Sequence, residues 1–406
     1  MSIKKSKLAL AVAVAAGLIF PASAFATNGY FAHGYGTKNK GLGGAGVALP
    51  QDAMAAATNP AGMVFVGERL DIGLAVFNPN REYSSTNAGF VTTAAQESDS
   101  NYFYIPHIGY NKMLNADQSV GISVYGNGGM NTNYPSTVFG SSASGVDLSQ
   151  LFANVSYAHK IMSSASLGAG AIFAYQRFKA YGIQNFGIEN QGYDSSTGYG
   201  LKLGGQADVG GDVTFGATYQ TKMRMSKFDK YAGLFAEQGD FDIPSHYTLG
   251  LAWKATQDLT VALDYQRINY TDVAAVSNPG PRTGADVALL GTDNGPGFGW
   301  KDINVFKLGV QYNMGDMSLR AGWNHGDQPI PTADEGLFNI LAPGVVQDHL
   351  TLGFTNRLSK TSEINIAYMR AFSNTVTSTI PAALGGGATD LKMDQNEIEF
   401  SYSMKF

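Results

Sequence analysis

The sequence predicts an all-β protein, a transmembrane antiparallel β-barrel of about fourteen strands with an N-terminal hatch inside its lumen. Three observations support this prediction. The chain opens with a secretory leader, no later apolar run reaches the length of a spanning helix, and the remainder alternates apolar with polar or small residues. A secreted chain without spanning helices can still cross a membrane as a closed barrel, because closure satisfies every backbone hydrogen-bonding group.

Residues 1–26 have the pattern of a secretory signal peptide. The first seven residues contain three lysines, an apolar run follows at 8–20, and Ala24-Phe25-Ala26 supplies an A-x-A cleavage site. An apolar run of this length is too short to span a bilayer, which takes about 20 residues. We therefore expect the mature protein to begin at Thr27.

The composition favours a membrane barrel over a soluble domain. The chain has 50 glycines, 12% aromatic residues and only 15% charged residues, whereas soluble domains average about 25% charged residues. A net charge of −5 gives no basis for a nucleic-acid partner. The absence of cysteine excludes disulfides, and the six histidines lack the spacing of a zinc site, so we expect neither a metal nor a cofactor.

Two patterns associated with enzymes lack the context that they require. Residues 41–46 match G-x-G-x-x-G, but a nucleotide site needs this motif between a strand and a helix, and neither is predicted there. No G-x-S-x-G nucleophile elbow occurs in the chain. We therefore expect a protein that is not an enzyme.

Residues 27–65 form the predicted hatch, and residues 66–406 form the predicted barrel. The first stretch is rich in glycine and alanine, has almost no charge and shows neither a helical stripe nor an alternation. Its apolar side chains are expected at or near the lumen, where they fill the contact with the wall or border a ligand pocket: Phe31, Tyr35, Met63 and Phe65. Lys38 and Lys40 are candidate contacts for a ligand carboxylate.

The clearest strand is the last one. Ile398, Phe400, Tyr402 and Phe406 alternate with polar residues, so one face is apolar and the other polar. A terminal aromatic in such a strand resembles the signal that the bacterial outer-membrane assembly machinery recognises. This pattern predicts a protein of the Gram-negative outer membrane, in contact with its lipid and lipopolysaccharide.

About fourteen such segments follow the hatch, and their connections alternate between short and long. Short turns on the periplasmic side and long loops outside are typical of outer-membrane barrels. Long loops are predicted at 83–97, 129–146, 184–197, 226–243, 272–300, 328–346 and 374–390. In the loop 226–243, a short amphipathic helix would present apolar side chains on one face, either to an apolar ligand or to neighbouring loops: Phe228, Tyr231, Leu234 and Phe235. Phe186 and Ile188 are candidates from the preceding loop.

Glycines interrupt the third predicted strand. Gly126, Asn127, Gly128 and Gly129 stand where that strand should continue, and glycine there weakens pairing and permits a bulge. Together with other segments, this run resembles the FadL/TodX family of hydrophobic-compound transporters. The segments that match the family's motifs are Asn59-Pro60-Ala61, 123–129, Trp300-Lys301-Asp302-Ile303, and 319–323 followed by Pro329 and Pro331.

The resemblance implies a function and a route. A hydrophobic molecule is captured among the outer loops, enters a pocket inside a monomeric barrel, and leaves sideways at the kinked third strand when the hatch moves. We favour passive uptake of long-chain fatty acids. Aromatic or alkane hydrocarbons are the alternative ligands within this class, and a general porin or an adhesive barrel is the alternative from another class.

Overall fold

The computed structural model describes residues 27–140, 142–282 and 289–406, and it contains one closed sheet of fourteen long strands. The predicted signal peptide lies outside the described residues. The strands are β1 Arg69–Ser85, β2 Phe103–Met113, β3 Gln118–Thr137, β4 Ala143–Met162, β5 Ala165–Tyr181, β6 Asp194–Gly210, β7 Val213–Gln220, β8 His246–Lys254, β9 Leu259–Ile268, β10 Ile303–Met314, β11 Met317–Gly326, β12 Asp348–Arg357, β13 Ser362–Thr379 and β14 Ala388–Lys405. Each strand pairs antiparallel with the next, and β14 pairs with β1 along its whole length. The predicted fourteen-stranded barrel is confirmed.

The remaining elements are short. Two-residue strands extend the sheet beside β1 and β6, at Gln96–Glu97 and Arg224–Met225. The α-helices are Thr37–Lys40, Ala55–Thr58, Ala236–Gly239 and Ala274–Ser277, and the 3₁₀ turns are Pro60–Phe65, Gln184–Phe186, Asp229–Tyr231, Tyr270–Asp272, Phe338–Ile340 and Ala382–Leu384. In the described part of the chain, no helix has the length and apolarity needed to cross a bilayer.

The barrel wall has its apolar side chains outside and its polar side chains inside. In β14, Phe400 is 49% exposed, whereas Glu397 and Glu399 on the opposite face are 3% and 1% exposed. The alternation predicted for this strand is therefore present, with the polar face turned inward. Such a surface is stable where the outer face meets lipid.

The loops differ from the prediction at two places. The predicted loop 129–146 is wrong, because β3 and β4 continue as a long hairpin and leave only residues 138–142 to connect them. In this extension Met130 and Tyr134 are buried, but Asn131 and Asn133 occupy the opposite face, so the outward apolar residues that mark a membrane strand are missing from the sequence. The amphipathic helix predicted within 226–243 is also wrong: only Asp229–Tyr231 and Ala236–Gly239 form short turns there.

Residues 27–65, which we call the lumen segment, lie inside the ring of strands. Strands on several sides of the barrel hydrogen-bond to it. The Asp71 carboxylate (β1) accepts a hydrogen bond from the Ala53 N–H at 2.8 Å, and the Asn154 amide (β4) donates to the Ala56 carbonyl at 2.6 Å. Asp264 (β9) and Thr351 (β12) each accept a backbone N–H of the segment at 2.8 Å.

Candidate functional site

A charged layer holds the lumen segment against the last strands, near the short turns. The Lys40 ammonium lies 2.7 Å from the Glu397 carboxylate and 2.6 Å from the Glu399 carboxylate, and all three groups are buried. Burial opposes the charge of the ammonium, but the two carboxylates outweigh it and raise the pKa of Lys40 above its ordinary value. Lys40 is therefore charged and held by two wall residues.

Lys38 belongs to the same layer. Its ammonium pairs with Glu363 on β13, and Glu363 also accepts from the Arg69 guanidinium at 2.8 Å. Arg69 in turn pairs with Asp71 at 2.7 Å. Burial and the charge of Arg69 lower the pKa of Lys38, which Glu363 opposes. Both lysines that we predicted as carboxylate contacts thus face the lumen with protein carboxylates already bound to them.

An aromatic cluster fills the lumen on the outer side of this charged layer. The Tyr30 ring centroid lies 5.2 Å from that of Tyr270, 6.1 Å from that of Trp300 and 6.3 Å from that of Phe241. The Tyr270 hydroxyl donates to the Asn28 carbonyl at 2.6 Å and accepts from the Tyr30 N–H at 3.0 Å. The backbone at the start of the lumen segment is therefore anchored to Tyr270 within an aromatic environment.

The aromatic contacts continue without a break toward the outer loops. Phe241 contacts Phe235 with ring centroids 4.9 Å apart, and Phe235 contacts Phe178 at 4.7 Å, as does Tyr231. Phe228, Tyr231 and Phe235 are all buried. Of the two alternatives for these side chains, the structure shows packing against neighbouring residues, here Phe178 of the wall and one another.

A small apolar cavity lies where these loops meet. Its lining includes Phe186 and Leu234, both half-buried, together with Phe235, Phe298 and Phe338. The Phe186 and Phe338 ring centroids are 5.3 Å apart. The cavity has a volume of about 30 Å³, whereas pockets for small ligands hold about 300–1,000 Å³. It is therefore closed, and the loops must separate before it accepts a hydrophobic molecule.

Strand β3 is irregular at the glycine run. Its register with β4 shifts between Gly126 and Gly128, which leaves Asn127 as an extra residue. Its pairing with β2 ends at His107–Tyr125, so Phe103–Pro106 of β2 have no partner on β3 in the described part of the chain. The wall is thus unpaired between β2 and β3 on the outer side of Tyr125.

The lumen segment covers this unpaired stretch from inside. The Ala32 N–H donates to the Asn127 carbonyl at 2.9 Å, and the Gly129 N–H donates to the Tyr30 carbonyl at 3.0 Å. The Tyr35 hydroxyl donates to the Asn127 side chain at 2.7 Å. Residues 30–32 therefore bind β3 as a short added strand.

Two predicted pocket residues lie elsewhere. Met63 packs in a separate small cluster with neighbours such as Ala55 and Ala158, and Phe65 is 43% exposed with its ring 5.4 Å from the Lys160 ammonium. Neither borders the aromatic cluster, because the turn Pro60–Phe65 directs them toward the short-turn end of the wall.

The predicted motif Asn59-Pro60-Ala61 has a structural role. The Asn59 amide donates to the Val47 carbonyl at 2.7 Å and to the Gly205 carbonyl of β6 at 3.1 Å. Its side-chain oxygen accepts from the Ala61 N–H at 3.1 Å and so caps the turn that Pro60 begins. The motif therefore ties the end of the lumen segment to the wall.

Sequence reasoning missed Trp300 and Tyr270 as lumen aromatics, and it missed two buried lysines, Lys202 and Lys307. Each lysine stands between two large apolar residues within a strand, as in Leu201-Lys202-Leu203 and Phe306-Lys307-Leu308. When the apolar neighbours face lipid, the alternation turns the lysine into the lumen. That signal was available in the sequence.

A closed barrel with a lipid-facing apolar surface and a filled, aromatic lumen defines the class of outer-membrane channels for hydrophobic molecules. The family model described as outer membrane protein transport protein (OMPP1/FadL/TodX) matches residues 12–406. The chain belongs to this family. It is therefore an outer-membrane transport protein for hydrophobic compounds, not an enzyme, and the family consists of monomeric barrel channels.

Solved structures share the fold at low sequence identity. The toluene transporter TodX of Pseudomonas putida is 20% identical, with a TM-score of 0.71 over 92% of this chain and 99% of that chain. A FadL homologue of Pseudomonas aeruginosa is 17% identical, with a TM-score of 0.69 over 92% and 98%. The toluene transporter TbuX of Ralstonia pickettii is 17% identical, with a TM-score of 0.65 over 92% and 99%. No curated protein sequence matches the chain.

Proposed function

We propose that this protein carries long-chain fatty acids passively across the outer membrane. The observation that supports this most strongly is the continuous series of aromatic contacts from Phe235, beside the loop cavity, through Phe241 to Tyr30 at the irregular strand β3. Such a series offers successive weak apolar contacts, and conduction requires sites that a ligand can both enter and leave.

The proposed route begins at the loop cavity. Separation of Phe186 and Phe338 would admit an acyl chain, which would then exchange contacts with Phe235, Phe241 and Tyr30. The charged layer around Lys40 would stop the acyl chain from moving further toward the short turns. An apolar chain beside these buried charges offers them no hydrogen bond or counter-charge, which is unfavourable.

Exit would therefore be sideways, through the unpaired stretch between β2 and β3. The His107–Tyr125 pair bounds this stretch on the short-turn side, and a hydrogen bond from the Asp99 N–H to the Asn133 carbonyl at 2.8 Å bounds it on the outer side. Pro106 lies on the unpaired edge and has no N–H to offer β3. We propose that the lumen segment acts as a hatch, and that release of residues 30–32 from β3 opens the gap.

A hydrocarbon facilitator is the second candidate. Every side chain that lines the loop cavity is apolar, and two of the similar solved structures are toluene transporters. Uptake of labelled oleate and labelled toluene by cells that lack their own transporter, with and without this chain, separates the two. Oleate uptake supports the fatty-acid proposal and toluene uptake alone supports the facilitator. Uptake of neither contradicts both proposals and leaves the fold unaffected.

Deletion of residues 28–58 should make the barrel leak. The deleted part fills the lumen, and without it inward-facing polar residues such as Asp264 and Thr351 would border water. We expect liposomes that contain the deletion variant to swell several-fold faster in arabinose than liposomes with the complete protein. The control is an equal amount of the variant shown to be folded by its heat-dependent migration on gels. Equal swelling rates would contradict the hatch, and fast swelling with the complete protein would favour a porin.

A further inference from the structure

The lipid-facing side of β4 and β5 changes abruptly from apolar to polar residues toward the outer loops. On β5, Tyr175 is 39% exposed, and the next outward residues are Arg177 and Lys179. On β4 the corresponding residues are Leu151 and then Ser149, so the change occurs at the same level on both strands. Since an aromatic girdle marks the edge of the apolar band of a barrel, Arg177 and Lys179 lie at the level of the headgroups in the outer leaflet.

The wall continues outward past this level. Strands β3 and β4 each contain 20 residues, and the outer part of their hairpin stands beside the end of β5. Its outward side chains are polar, as at Asn131 and Asn133. The Tyr181 hydroxyl of β5 donates to the Asn133 side chain. The hairpin therefore presents a polar surface outside the bilayer, next to the two cations.

Tyr193, in the loop after β5, contacts three cations. Its ring centre lies 4.3 Å from the guanidinium carbon of Arg177 and 4.9 Å from the ammonium of Lys179. Its carbonyl accepts a hydrogen bond from the Lys230 ammonium at 2.7 Å. Three positive charges are therefore gathered around one residue. We call Arg177, Lys179, Tyr193 and Lys230 the Tyr193 cluster.

The protein only partly neutralises the Tyr193 cluster. Of its three cations, only Arg177 has a carboxylate oxygen within 4.0 Å in the described part of the chain, that of Asp147 at 3.9 Å. The same carboxylate accepts the Tyr193 hydroxyl at 2.6 Å. Asp194 also lies beside the cluster, where it accepts the backbone N–H of Lys230 at 2.8 Å. The ammonium groups of Lys179 and Lys230 thus have no carboxylate partner among the described residues.

Cations at the same level on another side of the barrel are already paired. On β13 the outward Arg370 lies 2.6 Å from the Asp394 carboxylate, and on β14 the outward Lys392 lies 3.0 Å from that of Glu82. Positive charge alone therefore does not distinguish the Tyr193 cluster from the rest of the outer rim. The cluster differs in having cations that remain available to an anion from outside the protein.

A phosphate group fits the spacing of these cations. Residues two apart on one face of a strand are separated by about 7 Å, so a phosphate between Arg177 and Lys179 can accept hydrogen bonds from both. Arginine in addition matches phosphate in geometry, and basic clusters at a membrane surface bind anionic lipid headgroups.

We propose that the Tyr193 cluster binds a phosphate of lipopolysaccharide, the phosphorylated glycolipid of the outer leaflet. The acyl chains of this lipid would lie along the apolar band below Tyr175, and its sugars would face the polar side of the β3–β4 hairpin. The site is on the outer surface of the wall. It therefore concerns a lipid partner of the barrel and does not depend on which compound is transported.

The test measures binding of lipid A, the phosphorylated membrane anchor of lipopolysaccharide, to the complete protein by native mass spectrometry. We expect Arg177→Gln/Lys179→Gln to bind it about 10- to 100-fold more weakly than the wild type, because charge-assisted hydrogen bonds are lost. Dephosphorylated lipid A should bind the wild type as weakly as lipid A binds this variant. Arg370→Gln/Lys392→Gln is the matched control: it removes the same charge at the same level and should change the affinity less than about twofold.

Three outcomes would overturn the inference. One is undiminished lipid A binding by Arg177→Gln/Lys179→Gln, shown to be folded by its heat-dependent migration on gels. Another is equal affinity of the wild type for lipid A with and without its phosphates, a result that needs no variant. The third is displacement of lipid A by millimolar inorganic phosphate, which would indicate a site for the free anion instead of the lipid. Uptake of oleate or toluene is a separate measurement, so the proposed transport function would stand in each case.

Discussion

Replacement of Lys40 with methionine should release the lumen segment from the wall. The substitution leaves Glu397 and Glu399 buried without their cation, and removal of one partner from a buried ion pair costs about 3–5 kcal/mol. Since 1.4 kcal/mol corresponds to a factor of ten, we expect the opened population to rise at least about a hundredfold. Hydrogen exchange of the backbone amides of residues 37–46 measures this population.

Two further variants test the explanation. Lys112→Met removes an exposed lysine of β2 and should leave the exchange rates unchanged. Lys40→Met combined with Glu397→Gln and Glu399→Gln removes the unpaired charges, and it should recover much of the lost protection. Unchanged exchange in Lys40→Met alone would show that the ion pairs do not hold the segment.

Replacement of Gly128 with valine should separate residues 30–32 from β3. A Cβ atom at Gly128 would lie 1.7 Å from the Tyr30 carbonyl oxygen and 2.8 Å from its carbon, so the two backbones cannot stay in contact. We expect the Ala32 amide to exchange at least about tenfold faster, because its bond to Asn127 is lost. Uptake of the transported compound should rise, since the gap between β2 and β3 no longer needs to be uncovered.

Gly205→Val is the matched control for this prediction. Gly205 also lies within a strand, but the nearest atom to an added Cβ is a Leu167 side-chain carbon at 3.6 Å, an ordinary contact. This variant should exchange and transport like the wild type. If Gly128→Val retained both the slow Ala32 exchange and wild-type uptake, residues 30–32 would not be the cover of the gap.

The barrel was predictable because lipid imposes a simple pattern on its wall. Strands such as β14 place an apolar side chain outside at every second position, and short turns separate hairpins on one side only. The β3–β4 hairpin was not predicted because the outward positions of its extension are polar, as at Asn131 and Asn133, so the outer apolar alternation is lost although the strand continues.

The lumen segment was harder to interpret, since its side chains follow no repeating direction. The sequence placed Lys38 and Lys40 in the predicted hatch, but it could not show which way they face or that wall carboxylates bind them. The sequence likewise does not distinguish Met63 from Phe31, since both are large apolar residues of the lumen segment. In the structure they belong to different clusters. Lys202 and Lys307 were predictable from their strand alternation, but their hydrogen bonds to the lumen segment depend on how that segment packs.

The charged layer has a consequence for how the protein is assembled. Lys38 and Lys40 lie in the first half of the lumen segment, whereas their partners Glu363, Glu397 and Glu399 belong to the final two strands, 325 and more residues later. Contacts so distant in sequence form late, because the intervening chain must be ordered first. The lumen segment can therefore reach its final position only after β14 has paired with β1. Its ion pairs with the last two strands thus form only when the barrel is closed.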